Sequence, residues 1–453
     1  MKVAEAIEKI QALLAPDSEI TGAEVCVHNI RHLSLEIRSG SLLPTREENQ
    51  VELGLRIQKG AKAGRGLTQN LEWESLRKLI EDVRVLCDSN ASQTGLPAIL
   101  PLEAAAGERK VADFVDPTFA QIGTDEKVNR LLNLESTALR QDAKILRVDW
   151  ARYDEHNRTE DLWTLGSQRG LTSSHEVATL GIAVRATDSH VEATGEESQS
   201  QTSYNDIDWT QLAKGSAHTA LRMLVSRPLT SGKYKVLFSN AVAWKLVSWL
   251  GTSLSADRHQ IGQVSYRTDV GRSIFSEQVN LADDPFLGKG EGRCDWDAEG
   301  TPVSRVALVA GGRLLTLFHS RQSALNFQVP NTASTVRPAV GKDPCIGFHS
   351  FHLEPSSKDV VDLIREMQRG IMVHRIMDSS KVDLNSGSLD LEVEAAWYEG
   401  AEWVHGVRNL RLKTDLNTLF LRVLSVGRDL KMVGSSGSPS FLCDELNFES
   451  FGK

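Results

Sequence analysis

At 453 residues, 40% of them apolar, with 34 glycines and 13 prolines, the chain has the composition of an ordered globular protein large enough for two or three domains. Its net charge of -9 and the lack of any Lys/Arg block exclude an electrostatic drive towards nucleic acid, and no apolar run reaches the roughly eighteen residues that a membrane-spanning helix needs. The five cysteines, Cys26, Cys87, Cys294, Cys345 and Cys443, are widely spaced and odd in number, which suits core thiols in a reducing, cytoplasmic compartment and not a disulfide framework or zinc knuckle.

The opening MKVAEAIEKIQALLAP puts Val3, Ile7, Ile10 and Leu14 at helical spacing with Glu5, Glu8 and Lys9 between them, an amphipathic helix and not a signal peptide. Two short strands are expected at 24–30 and 32–38. A third at 51–58 turns through the glycine-bounded, solvated stretch Lys59 to Arg65 (KGAKAGR) to make a hairpin. Trp73, Leu76, Ile80, Val83 and Cys87 mark one helix, and Val128, Leu131, Leu132 and Leu139 a second, from about Asp125 to Asp142. Strands resume at 144–150 and 180–187, so an α+β domain with an antiparallel sheet and helices on one face is expected. The polar segment TGEESQSQTSYNDID, 194–208, lacks apolar periodicity and reads as a linker or exposed loop. The expected domains are 1–200 and 201–453.

Beyond it, Leu212, Ala213, Ala217, Ala220, Leu221 and Leu224 mark a helix over 209–226. Tyr234 to Ser239 alternates as a strand, Asn240 stands as an N-cap, and Val242, Leu246, Trp249 and Leu250 share one face of a helix running to Ser253. Strands at 303–309 and 313–319 flank Ala310-Gly311-Gly312, whose glycines supply positive φ for a tight turn. Ser356 to Asp359 resembles a capping box before Val360, Leu363, Ile364 and Met367, with Gly370 at the exit. Strands follow at 389–397 and 410–414, and Asp415 opens a last helix that should bury Leu416, Leu419, Phe420, Val423 and Leu424. The second domain is therefore expected to be sheet-rich with few helices.

Four constellations carry possible chemistry. His175-Glu176 in SHEVATLGI lacks a second histidine one turn on, and reads as a surface dipeptide. Cys345, His349 and His352 offer an alternative metal site that would still need a fourth ligand or water. Asp390, Glu392 and Glu394 alternate with Leu389, Leu391, Val393 and Ala395, the pattern of a solvated strand face and not of paired acid/base carboxylates. Leu287 to Gly292 (LGKGEG) has three glycines but not the GxxxxGK[ST] pattern, and reads as a turn.

The segments TSGKYKVL (230–237), DAEGTP (297–302), NSGSL (385–389), VGRDL (426–430) and Ser438-Pro439-Ser440, in this order and spacing, resemble the TldD/PmbA family, historically described as modulators of DNA gyrase and of peptide maturation. They are most similar to its TldE (PmbA) branch. The resemblance runs from the VELGLR segment at Val51 to Ser440. In the TldD branch the helix after the TSGKYKVLF-like strand carries His-Glu-x-x-x-His, and a more C-terminal cysteine joins the metal. Here that helix presents Lys245, Leu246, Val247, Ser248, Trp249 and Leu250, with neither histidine nor glutamate between Asn240 and Ser253, so Lys245, Leu246, Trp249 and Leu250 would mark a vestigial site. The flank of Cys443, Phe441-Leu442-Cys443-Asp444, does not match it to the family cysteine, and His319 to Ala324 (HSRQSA) replaces a turn richer in tyrosine and glycine. The resemblance implies a catalytically silent, cytoplasmic subunit without metal or cofactor, partnered by a TldD-like catalytic chain or by itself. Its substrate would be an extended or unfolded peptide, which a sheet edge can hold by strand addition; no residue is assignable to that contact. The alternatives are a metal-independent scaffold or peptide-binding homodimer, and a divergent metallopeptidase with its site displaced to Cys345, His349 and His352.

Overall fold

The computed structural model describes residues 2–92, 97–102, 115–260, 266–287 and 292–451; Gly288 to Glu291 of the glycine-rich turn lie outside them. The first half is an antiparallel sheet in the order Lys62–Thr68, Arg46–Lys59, Gly22–Arg38, Ile145–Thr164, Leu171–Asp188, Val191–Gln201. Its strands are longer than the sequence pattern indicates. The expected pair at 24–30 and 32–38 is one 17-residue strand, and 144–150 and 180–187 are parts of strands of 20 and 18 residues. The stretch Asp154–Asp161 (DEHNRTED) has no apolar alternation, but it is paired on both sides, to Gly22–Arg38 and to Leu171–Asp188. Tertiary pairing overrides local preference there.

The expected linker at 194–208 is corrected for the same reason. Residues up to Gln201 form the edge strand Val191–Gln201, laddered from Asp188↔Val191 to Ala178↔Gln201. Two cores lie against this sheet. One gathers the helices Val3–Leu14 and Trp73–Ser89; the other gathers Thr124–Leu139 and Trp209–Leu224. The last helix follows residue 200 yet packs on the first sheet. Its contact is close: a Cβ at Gly195 would lie 2.0 Å from the Ser216 carbonyl oxygen. At the opposite edge a Cβ at Gly64 would lie 2.2 Å from the Val83 oxygen.

The second half is sheet-rich, as expected, and holds two six-stranded sheets. The larger runs Glu402–Asp415, Ser388–Glu399, Arg369–Asp378, Gly232–Phe238, Phe441–Ser450, Val423–Val426. The smaller runs Arg313–Leu314, Val306–Ala310, Leu281–Asp283, Phe351–Leu353, Ser436–Ser438, Lys431–Val433. The Asn240–Ser253 helix shares one core with both, its Val242, Leu246, Val247 and Leu250 lying among Phe238, Leu281, Phe351, Val373 and Phe441. Its N-cap is Ser239, one residue before the expected Asn240, and Ser239 gives no side-chain cap. Instead the Asn240 N–H donates to Ser440 Oγ (3.0 Å), the Ser440 hydroxyl donates to Asp429 Oδ2 (2.6 Å), and Asn240 Nδ2 donates to the Asp429 carbonyl (2.8 Å).

Smaller expectations divide. Gly311 and Gly312 make the turn with φ of 52° and 74°. The capping box is Asp359 with Asp362, not Ser356 to Asp359. Leu424 is exposed, because the last helix ends at Leu421 and Val423 starts a strand. Asp390, Glu392 and Glu394 do alternate outward from buried Leu389, Leu391, Val393 and Ala395. The halves are joined by Arg375–Glu196 (2.5 Å) and by two cations on the edge strand's backbone: Arg408 Nη1 donates to the Glu192 oxygen (3.1 Å) and Lys431 Nζ to the Ser198 oxygen (2.7 Å).

Leu246 is fully buried, whereas Trp249 is only half-buried against the same core, which corrects the expectation that both are inside. Leu246→Ala should therefore cost about 2–5 kcal/mol by lost transfer energy and cavity formation, and Trp249→Ala less than the about 3–5 kcal/mol of a fully buried tryptophan. Denaturant midpoints at unchanged slope give the comparison; a Trp249 variant costlier than the Leu246 variant would place the indole in the core.

Candidate functional site

A cavity of about 840 Å³ lies between the first sheet and the second half. From the sheet it receives His156, Arg158, Glu160, Ser173, His175 and Glu176; from the second half, Cys294, Trp296, Asp297, Arg337, Phe348 and His349. Strand periodicity explains the first group, since His156, Arg158 and Glu160 are alternate residues on one face and the register sets His175 opposite Arg158 and His28 opposite Glu160. The expectation of a surface His175-Glu176 is thus overturned: Glu176 is buried, and burial, reinforced by Arg158, pushes His175 down to about 4, so that it is neutral at pH 7.

On the sheet side, His28 Nε2 lies 3.0 Å from Glu160 Oε2, 2.8 Å from Arg158 Nη2 and 3.5 Å from Cys26 Sγ, and Arg158 also pairs with Glu160. Cys26, His28 and Glu160 are the only three His, Cys, Asp or Glu side chains among the described residues whose ligand atoms gather within 4.8 Å. They fit a metal poorly. The Arg158 guanidinium already sits on both His28 and Glu160, taking the positions a cation would use; burial, and then Glu160, push the Cys26 thiol up. Burial alone would raise Glu160, but its bond to His28 and the charge of Arg158 outweigh that and hold it at about 2. Arg337 closes the cluster from the second half. It makes a buried 3.0 Å pair with Glu24 and donates to the carbonyls of Lys342 (2.8 Å) and Ala298 (3.1 Å).

Across the cavity, Asp283 is buried at the end of the Leu281–Asp283 strand and His349 precedes the Phe351–Leu353 strand that pairs with it. The Asp283 carboxylate accepts the N–H of His349 (3.0 Å) and of Ser350 (2.6 Å), and its Oδ2 lies 3.1 Å from His349 Nδ1. Cys294 lies beside the same imidazole. Burial opposes a charge on His349, but Cys294 and Asp283 raise it well above the usual histidine value, while burial raises the Cys294 thiol despite His349.

The residues singled out from sequence are dispersed. Cys345 is exposed on a two-residue strand paired with Thr335–Val336, His349 turns to Asp283, and His352 is buried with Nδ1 2.8 Å from the Ser350 oxygen. Cys443 is fully buried, its Sγ 3.6 Å from the Leu419 oxygen. Leu246 and Leu250 face the core, and Lys245 borders a second cavity of about 290 Å³ with Trp244, Glu196, Glu197, His374 and Lys431. A helix without histidine, cysteine or carboxylate cannot supply the ligands its TldD-branch counterpart carries. Sequence reasoning missed Asp283 and Cys294 as partners of His349, and His28 with Glu160. Asp283 meets His349 across 66 residues and His28 meets Glu160 across 132 through strand pairing, Cys294 comes in on the loop that passes His349 at Gly292, and no local motif marks any of them.

Residues 231–450 match the model of the PmbA/TldA metallopeptidase C-terminal domain, the class to which the two sheets and their enclosed helix conform. The second half of the chain thus matches that family's model, and relatives named PmbA align with the chain over nearly its whole length. It is 19% identical to metalloprotease PmbA of Escherichia coli O157:H7, over 96% of this chain and 94% of the relative, and 20% identical to the metalloprotease PmbA homolog of Haemophilus influenzae, over 94% and 91%. Its fold is that of TldE from Thermococcus kodakarensis (TM-score 0.90, 15% identity, 98% and 100% of the two chains) and of a candidate modulator of a DNA gyrase from Thermotoga maritima (0.89, 20%, 98% and 100%). No described helix is long and apolar enough to cross a membrane.

Because Glu160 titrates at about 2 in the fold against an ordinary 4.5, the unfolded chain binds more protons in that interval and stability falls as the pH is lowered through it. Glu160→Gln should remove this component of acid denaturation, as read by unfolding midpoints across that range; an unchanged acid limb would show that Glu160 does not carry it.

Proposed function

We propose that this chain is the non-catalytic, TldE-like subunit of a cytoplasmic metalloprotease assembly acting on extended peptides, paired with a TldD-like catalytic chain or with a second copy of itself. The carrying observation is the Asn240–Ser253 helix, which has no metal ligand and spends its apolar face on the core. The match of residues 231–450 to the PmbA/TldA metallopeptidase C-terminal domain and the full-length likeness to metalloprotease PmbA support the association with a metalloprotease; the non-catalytic part of the reading rests on the helix. In this reading the chain helps enclose the peptide, while the partner supplies the metal and the general base. A divergent metallopeptidase has one observation in its favour, the Cys26, His28 and Glu160 group, and Arg158 argues against it.

Purified without chelators, the chain alone is expected to hold no stoichiometric transition metal and to show no chelator-sensitive peptide hydrolysis. Light scattering should give about twice its 49.9 kDa. Chelator-sensitive cleavage should appear on co-expression with a TldD-like chain whose two histidines are intact. About one metal per chain in the isolated protein would overturn the reading, and a homodimer that ignores such a partner would favour the scaffold.

A further inference from the structure

We propose that His32, Asp154 and His156 form a binding site for a divalent cation of the zinc class, at the rim of the interdomain cavity. The site follows from strand register. His32 and His156 are direct partners across the Gly22–Arg38 and Ile145–Thr164 strands, and Asp154 lies two residues before His156 on the same face. Leu33, Leu35 and Tyr153 of these strands point the other way, into the core under the helices. The Leu165 N–H donates to the Ala23 oxygen (2.8 Å), so the ladder's hydrogen bonds join the pairs at odd positions of the first strand, and His32–His156 is one of the pairs between them. Such pairs are the closer kind, with Cα atoms roughly 4.5 Å apart.

Two imidazoles and a carboxylate are ligands that zinc takes, and tetrahedral bonds of about 2.0–2.1 Å set the ligand atoms about 3.3 Å from one another. His32 Nε2 lies 3.7 Å from Asp154 Oδ1, too far for a hydrogen bond and near the spacing of two ligands on one ion. The His32 and His156 ring centroids are 6.0 Å apart with their planes at 54°, so His156 has to turn to bring a nitrogen to the same point. It is free to turn: the residue is exposed, borders the cavity and makes no hydrogen bond among the described residues.

The surrounding charges also favour a cation here. On this face Glu160 is taken by Arg158 and Glu36 by Arg152, whereas Asp154, between them, has no lysine or arginine partner among the described residues. Arg158, which bars a metal from His28 and Glu160, is held on the side away from His156. Three protein ligands leave a fourth position to water or to a group of a molecule held in the cavity. Solvent reaches all three side chains, so the ion exchanges with buffer and is not expected to co-purify. That separates it from the tightly held ion that would overturn the non-catalytic reading, of which this site is independent.

The test strips the full chain with chelator, removes the chelator by buffer exchange and titrates zinc chloride by calorimetry. One zinc should bind per chain and raise the unfolding midpoint, whereas magnesium, which prefers oxygen ligands and water, should not bind. His32→Ala and His156→Ala, both at accessible positions, should each weaken zinc at least about tenfold and remove the rise in midpoint. Cys26→Ser and Cys345→Ser, which disarm the other candidate groups, should leave zinc binding unchanged. If a histidine variant fails to fold, Asp154→Ala decides, and should weaken zinc as well. No zinc binding at ~1 mM, equal binding of magnesium, an affinity unchanged in either folded histidine variant, or a site lost in Cys26→Ser would each overturn the proposal.

Discussion

The second half of the molecule depends on one helix being enclosed by two sheets. Leu246 and Leu250 of the Asn240–Ser253 helix share a core with Phe238 and Phe441 of the larger sheet and with Leu281 and Phe351 of the smaller, so the three layers cannot be moved independently. Its N-terminus is anchored through Ser440 and Asp429, which tie it to the last strands of the chain. The face of the helix that packs on both sheets leaves no surface there for chemistry; what it presents outside the core, Trp244 and Lys245 at the second cavity, carries no metal ligand.

That enclosure also places the cavity. The small sheet holds Asp283 and the start of the Phe351–Leu353 strand in register, and this turns His349 towards the first sheet. The first sheet meets it with charged side chains whose costs of burial are offset by one another: Glu24 by Arg337, Glu160 by His28 and Arg158. Removing a single partner from such a set is costlier than its absence would suggest, because a charge is left buried alone. The cavity wall is therefore electrostatically committed on one side and carries the free imidazole nitrogen on the other.

Most helices were legible because their periodicity reports burial directly, as at Leu76, Ile80 and Val83. The hairpin at Gly311-Gly312 was legible because its backbone requires positive φ. The long strands were not. Asp154–Asp161 and the polar part of Val191–Gln201 are strands through their neighbours alone, which a local pattern cannot show. The candidate site was legible only as isolated letters. His349 stood out beside Cys345 and His352 because they are close in sequence, yet its partners are Asp283 and Cys294, brought in by pairing and by the close approach at Gly292. Trp249 misled for a related reason: the helix period gave its face, and the depth of the core on that face is a property of the sheets.

The two cations that reach from the second half onto the Val191–Gln201 strand close a template as well as join domains. An edge strand with unpaired carbonyls invites another chain to continue the ladder. Arg408 on Glu192 and Lys431 on Ser198 occupy those acceptors with groups that cannot extend a sheet. The same bonds that orient the halves thus make this margin of the molecule resistant to runaway polymerisation, and a fragment ending before the second half would expose it.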